Sequence, residues 1–271
     1  MALVKVNYSS KVLGMGVTVD VILPQKATRL IGMETAEREG GTPVLWLLHG
    51  ASDDETIWQR RTSIERYAAP LGLAVVMPGV QLSSYSDMAH GGKYYTFVSK
   101  ELPEVMHNMF GFSTKREDNF IAGLSMGGAG CMKIGLANPE KYAAIGCMSA
   151  GITNRAASKK PPKKGSGMQG RMYMTYGDRD LRGTEEDPEF QAKSIIAEGK
   201  PIPRIYHTCG SEDFLVERAH YTRDFFLGFE GNPFDYTYEE DPGAHTWEYW
   251  DEHIQHFLKF IGLETQSDIR N

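Results

Sequence analysis

Asn119-Phe-Ile-Ala-Gly-Leu-Ser-Met-Gly-Gly-Ala-Gly-Cys-Met-Lys-Ile-Gly-Leu136 decides how the rest of the chain is read. Asn119 to Ala122 is a short apolar strand, and Gly128 to Leu136 is patterned as a helix of small residues. Between them lies Gly123-Leu-Ser-Met-Gly127, a G-x-S-x-G turn in the strand-turn-helix setting that marks an activated serine. The glycines allow a sharp turn and leave room around a serine in a strained conformation. Such a turn holds Ser125 Oγ at the end of a sheet, with a helix N-terminus aimed at developing negative charge.

Outward from this turn, strand-like and helix-like segments alternate. Gly16 to Pro24 alternates apolar and polar residues as a half-exposed strand does. Val44 to Leu48 and Leu73 to Met77 are continuous apolar runs suited to a sheet covered on both faces. Ile57 to Ala69 has helical spacing, and Tyr94 to Met109 reads as a helix that breaks or restarts near Glu101 because of Pro103. Further on, strands are expected at Tyr142–Met148, Arg204–Thr208 and Phe234–Glu239, with helices at Phe214–Gly228 and Trp247–Ile261. The alternation predicts an α/β fold with a mostly parallel central sheet and helices on both faces, formed by residues 1–271 as one domain. Residues 151–201 interrupt the pattern as an insertion suited to a lid or flap. Its basic, breaker-rich run Lys159 to Gly167 reads as an exposed loop.

With 271 residues, 41% of them hydrophobic and 24% charged, the chain has enough material for a sizeable core. A net charge of −6 gives no reason to expect a nucleic-acid partner. The N-terminus lacks the apolar core of a signal peptide, and no segment has the length of a membrane-spanning helix. Cys131, Cys147 and Cys209 sit in apolar patterns and read as buried free thiols. A cytoplasmic location without membrane association is the expectation, and self-association into a homo-oligomer is compatible with the sequence.

A serine nucleophile needs a histidine base and a carboxylate to fix that base's tautomer. In the order Ser, acid, His, the candidates are Asp213, after the strand ending at Thr208, and His245, between the strand ending near Glu239 and the last helix. Glu212 is the neighbour to test if Asp213 fails. His207 falls inside a strand, and His253 and His256 fall inside the last helix. Oxyanion donors are expected at the backbone N–H groups of Met126 and Ala51, with Gly50 second to Ala51. His49 is read as a support for that loop. Gly50, Trp58, Tyr85 and Trp247 are candidates for the substrate pocket, since each lies at or beside a loop on the expected catalytic edge. No metal or organic cofactor is called for.

Leu47-Leu-His-Gly50, Trp58 with Arg61, Val75-Val-Met-Pro78, Phe120 to Gly128 and Gly243-Ala-His-Thr-Trp-Glu-Tyr-Trp250 together resemble the putative-esterase branch of the α/β-hydrolases. The likeness runs from about residue 10 to 262 and is closest to the tributyrin-esterase type. The branch also holds S-formylglutathione hydrolases and feruloyl and acetyl-xylan esterases, with mycolyltransferases as more distant relatives. The resemblance implies the α/β-hydrolase fold and a triad of Ser125, Asp213 and His245. The run at 159–167 departs from the family pattern. The expected activity is a serine carboxylesterase acting on acetyl to butyryl esters of small molecules or carbohydrates. The alternatives are a feruloyl esterase or S-formylglutathione-type thioesterase, then an acyltransferase or a non-catalytic scaffold.

Overall fold

Every residue of Val44-Leu-Trp-Leu-Leu48 is buried, because both faces of this strand are covered. In the computed structural model, which describes residues 1–25, 34–38, 40–152 and 167–265, it lies inside one eight-stranded sheet. The strands are β1 (Ala2–Ser10), β2 (Met15–Leu23), β3 (Val44–Leu48), β4 (Ala74–Pro78), β5 (Asn119–Leu124), β6 (Ala144–Met148), β7 (Arg204–Thr208) and β8 (Thr237–Glu239). Their spatial order is β1-β2-β4-β3-β5-β6-β7-β8. Only β2 runs against its neighbours, pairing antiparallel with β1 and β4, and the other pairs are parallel.

The helices are α1 (Ile57–Arg61), α2 (Ile64–Ala68), α3 (Tyr94–Thr96), α4 (Leu102–Phe110), α5 (Met126–Ala137), α6 (Gly167–Tyr176), α7 (Pro188–Ala197), α8 (Val216–Leu227) and α9 (Trp247–Phe260). They divide between the two faces. Trp46 and Leu48 point into a core with Leu102, Met106, Ile134, Ile195 and Phe226, from α4, α5, α7 and α8. Leu45 and Leu47 point the other way, onto Trp58, Ile64, Trp250, Ile254 and Phe257, from α1, α2 and α9. Each such fully buried side chain contributes about 1.5–3 kcal/mol. This is the α/β-hydrolase architecture expected from the sequence.

The helix expected at 94–109 does change character near Glu101. A π-helical turn at Phe97–Glu101 joins α3 to α4, and Pro103 stands in the first turn of α4. Proline has no N–H to offer the carbonyl four residues back. That carbonyl, Ser99 O, instead accepts from Lys141 Nζ at 2.8 Å. The helix expected at 57–69 is split at Thr62-Ser63. Thr62 N–H and Oγ1 both donate to Trp58 O, and Oγ1 accepts from Ile64 N–H in place of a backbone carbonyl one turn back.

Of the insertion at 151–201, residues 153–166 lie outside the described residues, and with them nearly all of the basic run. The described part contains α6 and α7. Thr175 O and Met174 O accept from Ala89 and His90 N–H, tying α6 to the loop after β4 at 2.9 Å each.

Candidate active site

The sheet order itself selects a place for chemistry. From β3 the chain passes to β4 on one side, then crosses to β5 on the other. The loops leaving β3 and β5 therefore diverge, and open α/β sheets bind ligands in the crevice at such a switch point. The loop after β3 is His49-Gly50-Ala51, and the turn after β5 contains Ser125.

Ser125 has φ +51° and ψ −115°, a backbone conformation that non-glycine residues rarely adopt. Strain of this kind costs on the order of 1–3 kcal/mol and persists only where packing enforces it. Here α5 is pressed against the sheet end. A Cβ on Gly127 would lie 2.4 Å from Leu48 O, and one on Gly123 would lie 2.6 Å from the Gly127 carbonyl carbon. Ser125 N–H is held by Met148 O of β6 at 2.9 Å.

His245 Nε2 lies 2.9 Å from Ser125 Oγ, and His245 Nδ1 lies 2.8 Å from Asp213 Oδ2. Sequence positions 125, 213 and 245 thus meet in one hydrogen-bonded chain. Asp213 is buried, and its Oδ1 accepts from Leu215 N–H at 2.8 Å. Burial pushes its carboxyl upward, but hydrogen bonds from His245, Leu215 N–H and the Ser149 hydroxyl outweigh that and hold it below the usual carboxylate range. Ser149 Oγ is itself fixed by Trp250 Nε1 at 2.8 Å. Glu212, the alternative acid, is exposed and outside this network.

The loops carrying the acid and the base are laced together beyond the end of the β7–β8 pair. Cys209, Ser211 and Glu212 N–H groups donate to Glu239, Asp241 and Gly243 carbonyls at 3.2, 2.9 and 2.9 Å. At Gly210 the two backbones nearly touch: an added Cβ would meet Gly243 O at 2.2 Å.

Gly50 passes close beside the serine. A Cβ there would lie 3.7 Å from Ser125 Cβ and 2.6 Å from Leu124 Cδ1, so no side chain fits. The Asp53 carboxylate stands beside this glycine, with Oδ2 3.1 Å from the place a Gly50 Cβ would take. Met126 begins α5, where helix geometry leaves an N–H without an intrahelical acceptor. His49 holds the β3 loop from beneath: Nδ1–H donates to Gly50 O at 2.7 Å, and Nε2 accepts from Val80 N–H at 3.0 Å. Burial keeps its pKa below the usual imidazole value, consistent with a neutral ring using one donor and one acceptor.

Two expected pocket residues point elsewhere. Trp58 is 1% exposed, and its Nε1 donates to Leu48 O at 3.1 Å. Tyr85 is 0% exposed, and its hydroxyl donates to His49 O at 2.9 Å. Both brace the β3 end from inside the core and present no surface to a substrate. Trp247 is half-buried, packed edge-on against Trp58 and Trp250.

An aromatic residue absent from the expected set stands at the site. Phe214 follows Asp213 directly, is 75% exposed, and places its ring 4.5 Å from that of His245. Trp250 meets the same imidazole edge-on at 4.9 Å. Adjacency to the acid is the one signal that could have found Phe214.

The other histidines do different work. His207 is fully buried, with Nε2 donating to Ala150 O at 3.0 Å and Nδ1 accepting from Tyr236 at 2.6 Å. Burial pushes its pKa down to about 4. Between about pH 6.5 and 4 the unfolded chain takes up a proton that the folded one refuses, so acidification destabilises the fold, by up to about 3 kcal/mol. We expect the His207 imidazole to remain neutral by NMR at pH 5, and the urea midpoint to fall more steeply over this range than in His207→Gln. An imidazolium signal at pH 5 would remove His207 from this account. The cysteines are buried free thiols, as expected, and burial raises the pKa of Cys147 and Cys209 away from thiolate chemistry.

An α/β sheet that brings serine, imidazole and carboxylate into line at its carboxyl edge defines a serine hydrolase. The chain belongs to the putative esterase family, which it matches over residues 10–261. An acetyl esterase of Caldicellulosiruptor saccharolyticus is 29% identical over 265 residues, spanning 96% of this chain and 98% of the other. Among solved structures, the substrate-bound fluorophosphonate-binding serine hydrolase F of Staphylococcus aureus superposes with a TM-score of 0.81 at 35% identity, covering 96% of this chain and 98% of that one. An S-formylglutathione hydrolase of the same organism gives 0.78 at 34%, with the same coverages. The protein is a serine esterase. Among the described residues, no helix is long and apolar enough to cross a membrane.

Proposed function

We propose that this protein hydrolyses acetyl to butyryl esters through an acyl-enzyme formed on Ser125. The observation that carries the assignment is the unbroken chain Ser125 Oγ–His245 Nε2–His245 Nδ1–Asp213 Oδ2, at 2.9 and 2.8 Å. Ser125 Oγ attacks the ester carbonyl carbon while His245 Nε2 accepts the hydroxyl proton. Asp213 holds the Nδ1–H tautomer and stabilises the imidazolium that forms. The tetrahedral oxygen is taken by the N–H groups of Ala51 and Met126. Ala51 is preferred to Gly50 as donor, since it lies one residue further along the loop that leaves β3. His245 then protonates the departing alkoxide, and water attacks the acyl-enzyme by the reverse route. Removing one oxyanion donor typically costs about 10²–10³ in kcat.

The short-chain preference is supported by the acetyl esterase that matches nearly the whole chain. On the alcohol side, Phe214 offers an exposed ring beside His245, with Trp247 nearby, a surface suited to stacking on a sugar ring. We read residues 1–271 as one domain and place the protein in the cytoplasm, the latter supported by its three unpaired thiols. A second reading, thioester hydrolysis, is favoured by the likeness to an S-formylglutathione hydrolase.

The test is kcat/KM for p-nitrophenyl acetate, butyrate and octanoate, beside S-formylglutathione. We expect the value to fall steeply from butyrate to octanoate. A flat or rising series would exclude a small acyl pocket, and S-formylglutathione turned over well above every oxygen ester would establish the second reading.

A further inference from the structure

Behind the loop that carries His245, one cluster of metal-ligating side chains comes together among the described residues. Glu239 at the end of β8 and His253 and His256 of α9 each offer a ligand atom, and these atoms lie within 4.8 Å of one another. The two histidines are three residues apart and share a helix face. Glu239 Oε2 is 2.9 Å from His256 Nδ1 and 3.6 Å from His253 Nδ1. Two ligands about 2.1 Å from a common tetrahedral ion stand roughly 3.4 Å apart, so small side-chain adjustments would admit one.

The surroundings of His253 are the independent sign. This ring is 1% exposed, and its Nε2 has no hydrogen-bond partner, although the Asp241 carboxylate stands 3.5 Å away. On its other side Nδ1 faces the Tyr206 hydroxyl at 3.1 Å and the Thr208 hydroxyl at 3.3 Å, and these two also bond to Glu239 and Tyr249. A cation on Nδ1 requires the ring proton on Nε2, where Asp241 can accept it. This is the carboxylate–histidine–metal arrangement that orients imidazole ligands elsewhere. A solvent-open cavity lined by Tyr206, Thr237, Glu239, His256, Lys259 and Phe260 adjoins the cluster and gives an ion a way in, with room for a water ligand. Lys259 is exposed, and its ammonium can swing away.

We infer that Glu239, His253 and His256 form a binding site for a divalent transition-metal ion of the zinc type, separate from the Ser125 centre. Two imidazoles and a carboxylate suit such an ion better than magnesium or calcium, which prefer all-oxygen shells. Bound there, it would pin the end of β8 to α9, at the root of the loop holding His245.

Metal-stripped protein should take up one equivalent of Zn²⁺ in competition with a chromophoric chelator, and Co²⁺ in its place should give the visible absorption of a low-coordinate site. Zn²⁺ should also raise Tm. His256→Gln and Glu239→Gln, both at partly exposed positions, should weaken binding by more than the roughly 10- to 100-fold that loss of an outer partner costs, and abolish the Tm rise. His245→Ala should bind as the wild type does. The inference fails if no stoichiometric binding is seen, if both cluster variants bind normally, or if His245→Ala is the variant that loses the ion. Loss of esterase activity in Ser125→Ala leaves this test unaffected.

Discussion

Ser125→Ala is expected to lower kcat by up to about 10⁶, because nucleophile and base act as a unit and neither retains its role alone. Alanine removes only Oγ. The strained backbone at φ +51° is fixed by the contact of α5 with the end of β3, so the variant should fold with the same secondary structure. A fluorophosphonate probe should label the wild type and leave Ser125→Ala unlabelled. Retention of labelling or of more than a trace of turnover would move the nucleophile elsewhere. Residual hydrolysis should stay above that of water alone, since the oxyanion donors remain in place.

Asp213→Asn is the second large effect, on the order of 10⁴ in kcat. Asp213 Oδ2 accepts from His245 Nδ1, while Oδ1 accepts from Leu215 N–H. An amide can keep the bond to Leu215 only by turning its NH₂ toward His245. The imidazole must then carry its proton on Nε2, facing Ser125, and cannot accept another. The defect should therefore appear in kcat with little change in KM, and Glu212→Gln should behave as the wild type. Near-normal turnover in Asp213→Asn with loss in Glu212→Gln would reverse the assignment.

The meeting of Ser125, Asp213 and His245 was legible because each of them has a local sequence cause. β3 carries the residue bounds that its apolar run predicts, since a strand covered on both faces favours apolar residues throughout, and β7 also keeps its expected bounds although His207 and Thr208 are buried polar residues. The placement of Ser125, Asp213 and His245 after β5, β7 and β8 followed from chain order together with the strand pattern. β1 does carry a two-residue period, with Val4, Val6 and Tyr8 turned inward and Lys5, Asn7 and Ser9 exposed, but as an edge strand it fully buries only Val6 and Ser10 and holds few apolar residues to announce it. Trp58 and Tyr85 were placed at the right edge of the sheet but with the wrong orientation. Their polar atoms are claimed by Leu48 and His49 carbonyls, and no local pattern reveals that a ring turns inward to satisfy a backbone acceptor. Phe214 and the cluster around His253 depend on contacts across 31 and 14 residues of chain, as the rings at 214 and 245 and the side chains at 239 and 253 show. Periodicity carries no information over such distances.

The lacing of the 209–213 segment to the 239–245 segment makes acid and base parts of one piece, while the serine rides on another, the β5–α5 turn. The two pieces meet above at the hydrogen bond between Ser125 Oγ and His245 Nε2, and below through β6, where Ser125 N–H donates to Met148 O and Ser149 N–H to Thr208 O. β6 is thus the common footing on which serine, imidazole and carboxylate stand. With its Cβ site only 2.2 Å from Gly243 O, Gly210 is the rivet: any side chain there would part the two segments that carry Asp213 and His245.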